Sequence, residues 1–241
     1  MANSWFEFKQ FTVHQDLCGM KVSTDACIQG ALANQFLIGQ SISTALDIGA
    51  GTGLLSLMLA QENANAHFKA IELEQDAFLQ TQINFRDSKW RTRLEVEHCT
   101  VQNFVHKSTE QFDFIICNPP FFKNHLNAQE AKRNLARHNE SLSKQDLAES
   151  ISILLNENGT ACILYPAHEW DEFEKIAQTF GLQLIQQSLI FPNYRKPVNR
   201  IVGFFVKNSK SNIKDTHSLF IRNKEENYSS EYQTLMSKYH R

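Results

Sequence analysis

The sequence predicts an α/β fold with a mostly parallel sheet, on three observations. Its 241 residues, 42% hydrophobic and 21% charged, suit one globular domain of this class with small additions. Short apolar runs recur along the chain, and most are followed by a longer segment with the apolar spacing of a helix. A glycine-rich turn follows the first of these runs. This alternation is typical of a parallel sheet with helices packed on it.

The elements follow from these patterns in chain order. Seven apolar runs are predicted strands: 45–48, 67–72, 94–98, 112–117, 160–165, 182–190 and 201–206. Four segments between them are predicted helices: 54–59, 77–85, 144–155 with Ser143 as its N-cap, and 170–180. The last two strands are joined through Pro192 and Pro197 without a helical pattern, which predicts an antiparallel hairpin at one edge of the sheet. Beyond them, 218–222 is a candidate strand and 228–239 a candidate helix.

We expect three parts in the chain: an amino-terminal segment 1–43, a core 44–207, and a carboxy-terminal extension 208–241 packed on the same domain. No apolar run approaches the roughly 20 residues of a membrane span, and the chain starts without a secretory leader. These features predict a cytoplasmic protein with no membrane partner.

The net charge and the spacing of the cysteines and histidines argue against three further classes. Five cysteines without Cys-x-x-Cys spacing, and nine histidines without a His-Glu-x-x-His pattern, argue against a disulfide framework and against a metal site. The net charge of −2 argues against a generally basic nucleic-acid-binding protein. A nucleic acid would therefore have to meet a local basic patch.

The glycine-rich turn predicts a nucleotide-like ligand. Gly49, Gly51 and Gly53 lie between a strand and a helix, where backbone N–H groups face a ligand. A dinucleotide fingerprint needs glycine at position 54, where this chain has leucine. Asp47, at the end of the strand, would repel a pyrophosphate but suits a cationic amino group, such as that of S-adenosylmethionine.

A second carboxylate supports this ligand. Glu72 ends the next strand about 20 residues after the turn, where a carboxylate can accept both ribose hydroxyls. Either carboxylate alone would most often be an ordinary charge at a strand end. Their joint placement around the glycine turn favours S-adenosylmethionine over NAD.

The tetrapeptide Asn118-Pro119-Pro120-Phe121 is the most specific signal in the chain, and it follows the apolar strand 112–117 directly. Two prolines fix the backbone and remove two N–H donors, which leaves rigid carbonyl acceptors beside the Asn118 side-chain oxygen. Such acceptors suit an N–H₂ group, whose nitrogen lone pair they would aim at a methyl sulfonium. Phe121 is a candidate to stack on a flat base. A plain proline turn with a core phenylalanine is the structural alternative.

These motifs together resemble a known family. The chain is similar to class I S-adenosylmethionine-dependent methyltransferases with an Asn-Pro-Pro-aromatic motif, and it closely resembles the bacterial tRNA1(Val) adenine-37 N6-methyltransferase family. The resemblance runs nearly end to end through these pieces in order: Phe8-Lys9-Gln10-Phe11, Met20 to Asp25, Gly30-Ala31, the glycine turn, Glu72-Leu73-Glu74, Asn118 to Phe121, Ala136-Arg137-His138, Asn227-Tyr228-Ser229 and Tyr232.

The resemblance implies further features. It implies a Rossmann-like sheet of seven strands in the order 3-2-1-4-5-7-6, and an amino-terminal segment in which Lys21, Thr24 and Asp25 close over the cofactor. Relatives often place an Asp after the third strand to bind the adenine amine of the cofactor. This chain has Thr100 in that region, so Thr100 or a backbone group would take that role.

Three segments beyond Asn118 carry a net positive charge: 123–137, 193–200 and 207–224. Such segments are often only solvated faces, but beside a nucleotide-modifying site they predict a track for RNA phosphates. The candidate RNA-binding residues are Lys123, Arg133, Arg137, Arg195, Lys196 and Arg200.

The implied function is methyl transfer from S-adenosylmethionine to the N6 amine of an adenine next to the anticodon of a tRNA. The same tetrapeptide also serves methylation of a glutamine amide in a protein or of a guanine amine in ribosomal RNA. A catalytically silent RNA-binding or cofactor-binding module is an alternative of another class, which the intact tetrapeptide argues against. A Rossmann dehydrogenase is a third, which Leu54 argues against.

Overall fold

One sheet of eight strands organises the described part of the chain, and two short amino-terminal strands pair apart from it. The structure is a computed structural model that describes residues 3–119, 142–207 and 215–240. Its elements are β1 (Trp5–Glu7), β2 (Thr12–His14), α1 (Thr24–Phe36), β3 (Thr44–Ile48), α2 (Leu54–Glu62), β4 (His67–Glu72), α3 (Gln75–Asp87), a 3₁₀ turn (Arg91–Arg93), β5 (Leu94–His98), α4 (Val101–Lys107), β6 (Phe112–Cys117), α5 (Lys144–Leu154), β7 (Leu155–Pro166), α6 (Ala167–Thr179), β8 (Leu182–Asn193), β9 (Arg200–Lys207), β10 (Asp215–Arg222) and α7 (Ser230–Met236). Within those residues, no helix has both the length and the apolar character needed to cross a membrane.

The strands of the large sheet lie in the order β10-β8-β9-β7-β6-β3-β4-β5. Counted from β3 to β9, this is the order 3-2-1-4-5-7-6, so the predicted fold class is confirmed. Strand β9 is antiparallel to both β7 and β8, and the other neighbouring pairs are parallel. The predicted antiparallel hairpin is therefore present as β8 and β9.

Strand β10 corrects the predicted strand count and the predicted sheet edge. It pairs in parallel with β8, with Ser218 opposite Leu189 and Arg222 opposite Asn193. The sheet thus has eight strands rather than seven, and the β8–β9 hairpin does not form its edge. The first four residues of β10 are exposed, while Leu219 is buried. The alternating apolar pattern that signals a strand is therefore too short to reveal its full length.

The sheet separates two apolar layers. Phe114 of β6 packs in the layer that contains α1 and α2, whereas the next residue, Ile115, packs in the layer of α4, α5 and α6. This alternation is what a strand buried on both faces produces. Ser143 is the N-cap of α5, as predicted, and its hydroxyl oxygen accepts the Asp146 N–H at 3.0 Å.

The carboxyl ends of the parallel strands meet at one side of the sheet, which we call the carboxyl edge. Strands β3, β4, β6, β7, β8 and β10 all run toward it. Strand β9 runs away from it, so its first residue, Arg200, lies there opposite Pro166. The turns that follow β8 and β10 lie at the same edge. In open α/β sheets, ligands bind at this edge, near the point where the strand order reverses.

Side-chain amides of α3 hold the amino-terminal segment in place. Asn84 accepts the His14 N–H at 2.9 Å and donates to the His14 carbonyl at 2.8 Å. Gln80 accepts the Leu17 N–H at 2.9 Å. Asn84 also donates to the Thr52 carbonyl at 2.8 Å, so one side chain ties the amino-terminal segment to the glycine turn.

Candidate active site

The glycine turn joins β3 to α2 at the carboxyl edge. Gly49, Gly51 and Gly53 all have positive φ, at 72°, 59° and 76°. At Gly53 a Cβ atom would also lie 2.6 Å from the Phe85 ring, so both the backbone and the space require glycine there. The carbonyl of Gly51 accepts the Thr81 hydroxyl at 2.8 Å. The turn is thereby fixed against α3 in a conformation that favours glycine.

Asp47 is a buried carboxylate directly below this turn. Its Oδ2 accepts two hydrogen bonds from Ser56 of α2, from N–H at 3.1 Å and from Oγ at 2.7 Å. Its Oδ1 is buried and has no hydrogen-bond partner among the described residues. Burial raises the pKa of Asp47 to about 7, the Ser56 hydrogen bonds oppose that rise, and the charge of Glu72 adds to it. An unpaired buried acceptor of this kind fits a cationic amino group of a ligand.

Glu72 is already oriented by the backbone around it. Its Oε2 accepts the Gly51 N–H at 2.7 Å, and its Oε1 accepts the Glu74 N–H at 2.9 Å. A carboxylate oxygen has more than one lone pair, so each oxygen keeps acceptor capacity for a hydroxyl group. The structure thus places Glu72 beside the glycine turn, in a geometry that suits the two hydroxyls of a ribose.

Asn118 and Pro119 lie at the carboxyl edge, directly after β6. Strand β6 is the neighbour of β3, and Cys117 is opposite Ile48. Asn118 is half-buried and Pro119 is buried. The first half of the tetrapeptide is therefore adjacent to the glycine turn, while Pro120 and Phe121 lie outside the described residues.

Of the amino-terminal candidates, Lys21 lies just before α1 and Thr24 is its first residue. The Lys21 ammonium donates to the backbone carbonyl of Gln15, and Thr24 is exposed. Ser23 is the N-cap of α1, and its hydroxyl oxygen accepts the Ala26 N–H at 3.2 Å. The segment before α1 is thus ordered by its own hydrogen bonds.

Asp25 and Arg200 form an ion pair across the carboxyl edge. Asp25 Oδ2 lies 2.8 Å from Arg200 Nε, and both side chains are about a quarter exposed. The family resemblance implies a cofactor role for Asp25, and the local positive charge predicts an RNA contact for Arg200. The structure brings the two predicted groups into direct contact.

Thr100 is the N-cap of α4, directly past β5. Its hydroxyl oxygen accepts the Asn103 N–H at 3.0 Å. The Thr100 hydroxyl oxygen, predicted to accept from the adenine amine of the cofactor, therefore already accepts one hydrogen bond from the first turn of α4.

Arg195 and Lys196 are exposed in the turn 194–199 between β8 and β9. With Arg200, they place three basic residues of the predicted RNA-binding set at the carboxyl edge. Lys123, Arg133 and Arg137 lie outside the described residues.

Gln29 is a site residue that the sequence patterns did not reveal. Its fully buried side chain donates from Nε2 to the carbonyls of Cys117 at 2.9 Å and of Cys162 at 3.2 Å. It thereby joins the last residue of β6, which precedes Asn118, to the middle of β7. A polar residue inside the apolar stretch 27–31 was the available signal, but the pattern of 24–36 did not predict a helix.

We expect Gln29→Met to lower the free energy of unfolding by about 1–3 kcal/mol, because two buried carbonyls lose their shared donor. Urea unfolding measures this directly. Gln35→Met, at an exposed position of the same helix, is the matched control and should change the free energy by less than about 0.5 kcal/mol. Equal stabilities of the two variants would contradict the assigned role.

Comparison with known proteins gives close relatives. Residues 31–148 match the family model described as methyltransferase small domain. A protein from Cytophaga hutchinsonii is 37% identical over 98% of this chain and 97% of its own length. One from Bacteroides thetaiotaomicron is 36% identical over 100% of this chain and 98% of its own length. One from Vibrio cholerae is 38% identical over 84% of this chain and 82% of its own length. All three relatives are named tRNA1(Val) (adenine(37)-N6)-methyltransferase.

Solved structures share the fold at low sequence identity. A predicted O-methyltransferase from Agrobacterium tumefaciens superposes with a TM-score of 0.68 at 15% identity, covering 89% of this chain and 96% of its own. A ribosomal protein L11 methylase from Lactobacillus delbrueckii superposes with a TM-score of 0.58 at 12% identity, covering 82% of this chain and 84% of its own. These likenesses establish the fold.

Proposed function

Because the chain belongs to the tRNA1(Val) (adenine(37)-N6)-methyltransferase family, we propose that it methylates the N6 amine of the adenine next to the anticodon of a tRNA. S-adenosylmethionine is the methyl donor. We infer a cytoplasmic location, because the proposed substrate is a tRNA. The observation that carries the proposal is the position of Asn118. It follows β6 directly, beside a glycine turn below which a buried Asp47 oxygen has no hydrogen-bond partner in the described part of the chain.

We assign the cofactor to the glycine turn and the carboxylates around it. Asp47 Oδ1 would accept from the amino group of the methionine part, and Glu72 would accept from the ribose hydroxyls. Lys21, Thr24 and Asp25 would close over the cofactor from the amino-terminal segment, and Thr100 would face its adenine. When bound, S-adenosylmethionine supplies an electrophilic methyl group on a sulfonium.

Asn118 is the proposed catalytic residue. The exocyclic amine of adenine is a weak nucleophile, because its lone pair is conjugated with the ring. Hydrogen bonds from the amine to Asn118 Oδ1 and the Pro119 carbonyl would favour a pyramidal nitrogen whose lone pair points at the methyl group. Pro120 would hold the loop rigid, and Phe121 would stack on the base once it has left its own stack. The methylated nitrogen is acidic enough to lose its proton to water, so the chain needs no strong base.

The basic residues of the carboxyl edge are the proposed RNA contacts. Arg195 and Lys196 are exposed there, and Arg200 bridges toward the cofactor segment through Asp25. Phosphate neutralisation by such residues gives affinity that falls with salt. Lys123, Arg133 and Arg137 complete the proposed set from the sequence.

The test is incubation with tritium-labelled S-adenosylmethionine and unmodified total tRNA, followed by nucleoside analysis. We expect the label in N6-methyladenosine, because the Asn118 acceptors match an exocyclic amine. Ribosomal RNA and a protein extract, tested in parallel, cover the alternatives that share the tetrapeptide. Label in methylguanosine or in methylglutamine, with none in the tRNA adenine, would contradict the assignment.

A further inference from the structure

Three aromatic rings form a continuous stack at the carboxyl edge. Phe191 of β8 stacks on Phe220 of β10, with ring centres 4.6 Å apart and planes 20° apart. Tyr194, in the turn after β8, stacks on Phe220 at 4.1 Å and 5°. Tyr194 is the outermost ring and is 47% exposed. Phe220 covers one face of Tyr194, and nearly half of the Tyr194 surface is accessible to solvent among the described residues.

The turn that carries this ring also carries two basic residues. Arg195 and Lys196 follow Tyr194 in the same turn, and both are exposed. The turn is held in place, because Asn193 accepts the Arg195 N–H at 3.0 Å and donates to the Glu226 carboxylate at 3.0 Å. The ring and the two cations are thus presented together on a fixed support.

A second aromatic residue with a cation lies at the same edge. Tyr228, in the turn after β10, is 48% exposed, but its ring already has two partners: it stacks on Tyr232 with ring centres 4.8 Å apart, and the Arg222 guanidinium lies 4.9 Å from its ring centre. Tyr194 is therefore the ring of this edge that is available for a base. Surfaces that bind unpaired nucleotides combine exposed aromatic rings with basic side chains. The bases stack on the rings, and the cations contact the phosphates of the nucleic-acid backbone. Flat ring faces combined with positive charge match both halves of a nucleotide, so RNA is favoured over a protein partner.

We propose that Tyr194 is a stacking platform for an unpaired nucleotide of the RNA substrate, with Arg195 and Lys196 on the neighbouring phosphates. This role differs from the one proposed for Phe121, which is assigned to the reacting base. It rests on the proposed function, because it takes its ligand from the RNA loop that carries the target adenine. Stacking on the Tyr194 ring is a non-ionic interaction, whereas Arg195 and Lys196 contribute ionic interactions that salt weakens.

The experiment measures binding of a labelled anticodon stem–loop RNA by fluorescence anisotropy across a salt series. Tyr194→Leu keeps an apolar cover on Phe220 but removes the aromatic face, and it should raise Kd about fivefold or more without changing the salt slope. Tyr194→Phe keeps the face and should bind like the wild type. The double variant Arg195→Ala, Lys196→Ala should instead lower the salt slope, by about 0.7–0.9 for each phosphate that is no longer neutralised. A blunt duplex RNA should bind Tyr194→Leu and the wild type equally, because it offers no unpaired base.

A measurement on the wild type covers the case in which Tyr194→Leu is unstable. Abasic sites are introduced one at a time into the loop of the RNA. One loop position other than the target adenine, which is assigned to Phe121, should weaken wild-type binding. In a stable Tyr194→Leu protein that position should cause no further loss of affinity, since the two changes remove the same stacking interaction.

The outcomes separate this proposal from the proposed function. If the wild type methylates the stem–loop and binding is weakened neither by Tyr194→Leu nor by any abasic site other than the target adenine, the platform is overturned and the function stands. Equal loss of affinity for loop and duplex RNA would also overturn it, because it would show no stacking on an unpaired base. A wild type that neither binds nor methylates RNA overturns both, and the labelling of total tRNA reports that failure independently.

Discussion

Alanine in place of Asn118 is expected to lower kcat about 100- to 1,000-fold, and to leave the Kd of S-adenosylmethionine nearly unchanged. This is the loss of about 2.7–4 kcal/mol seen when a preorganised polar group at a reacting centre is removed. Asn118 is half-buried directly after β6, and the buried Pro119 restricts the backbone beside it. The amide oxygen is therefore positioned before the substrate binds, and its removal affects the transition state more than the ground state.

Single-turnover kinetics on unmodified tRNA measures the chemical step, and calorimetry with S-adenosylhomocysteine measures the cofactor site. Asn65→Ala is the matched control, because Asn65 is exposed in the loop before β4, at the opposite edge of the sheet. It should retain the wild-type kcat. If Asn118→Ala methylates at the wild-type rate, the assignment of this loop as an amine-binding site has to be abandoned.

The site residues recognised from the sequence are those with strong local signals. The glycine turn is recognisable because Gly53 cannot carry a Cβ atom, and this constraint is visible in the sequence as glycine itself. Asn118 is recognisable because two prolines follow a strand of six buried or half-buried residues. Glu72 is recognisable by its distance from the turn. In each case a few consecutive residues, or one fixed spacing, carry the information.

The parts that the sequence did not reveal depend on contacts between distant segments. Helix α1 buries Cys27 to Asn34 almost continuously, because it lies between the sheet, α2 and α7, and so it lacks the one-sided apolar pattern of a surface helix. The role of Gln29 arises only when α1 meets the end of β6 and the middle of β7. The Asp25–Arg200 ion pair joins residues 175 positions apart. Such pairings follow from the assembled sheet rather than from local sequence.

Asp47 should make folding stability depend on pH in a direction opposite to that of most carboxylates. Its pKa is about 7 in the folded protein, because it is buried, against an ordinary value of 3.8. Between these two values the folded state keeps a proton that the unfolded state loses. The contribution of Asp47 to the free energy of unfolding is therefore fully present below about pH 4, and it is lost as the pH rises through 7. At 1.36 kcal/mol per pKa unit, the decrease is on the order of 4 kcal/mol for this group.

We expect Asp47→Asn to remove this pH dependence. Measured by urea unfolding without cofactor, the stability of the wild type relative to Asp47→Asn should fall by up to about 4 kcal/mol between about pH 4 and pH 8. Ser56→Ala provides the matched control. It deletes the hydroxyl that donates to Oδ2 at 2.7 Å and favours the charged form, so it should move the transition to higher pH. Parallel pH profiles for the wild type and Asp47→Asn would contradict the predicted protonation.

The same variant tests why a carboxylate occupies this buried position at all. Its Oδ1 has no partner within the described residues, so the charge is costly in the protein without ligand. If Asp47 binds a cationic amino group, Asp47→Asn should be more stable than the wild type at about pH 8. It should also bind S-adenosylmethionine more weakly, by about tenfold or more, because a charge-assisted hydrogen bond is removed. Calorimetry at the same pH measures the binding. Unchanged affinity together with the gain in stability would show that Asp47 does not contact the cofactor, and the amino group would then need another acceptor at the carboxyl edge.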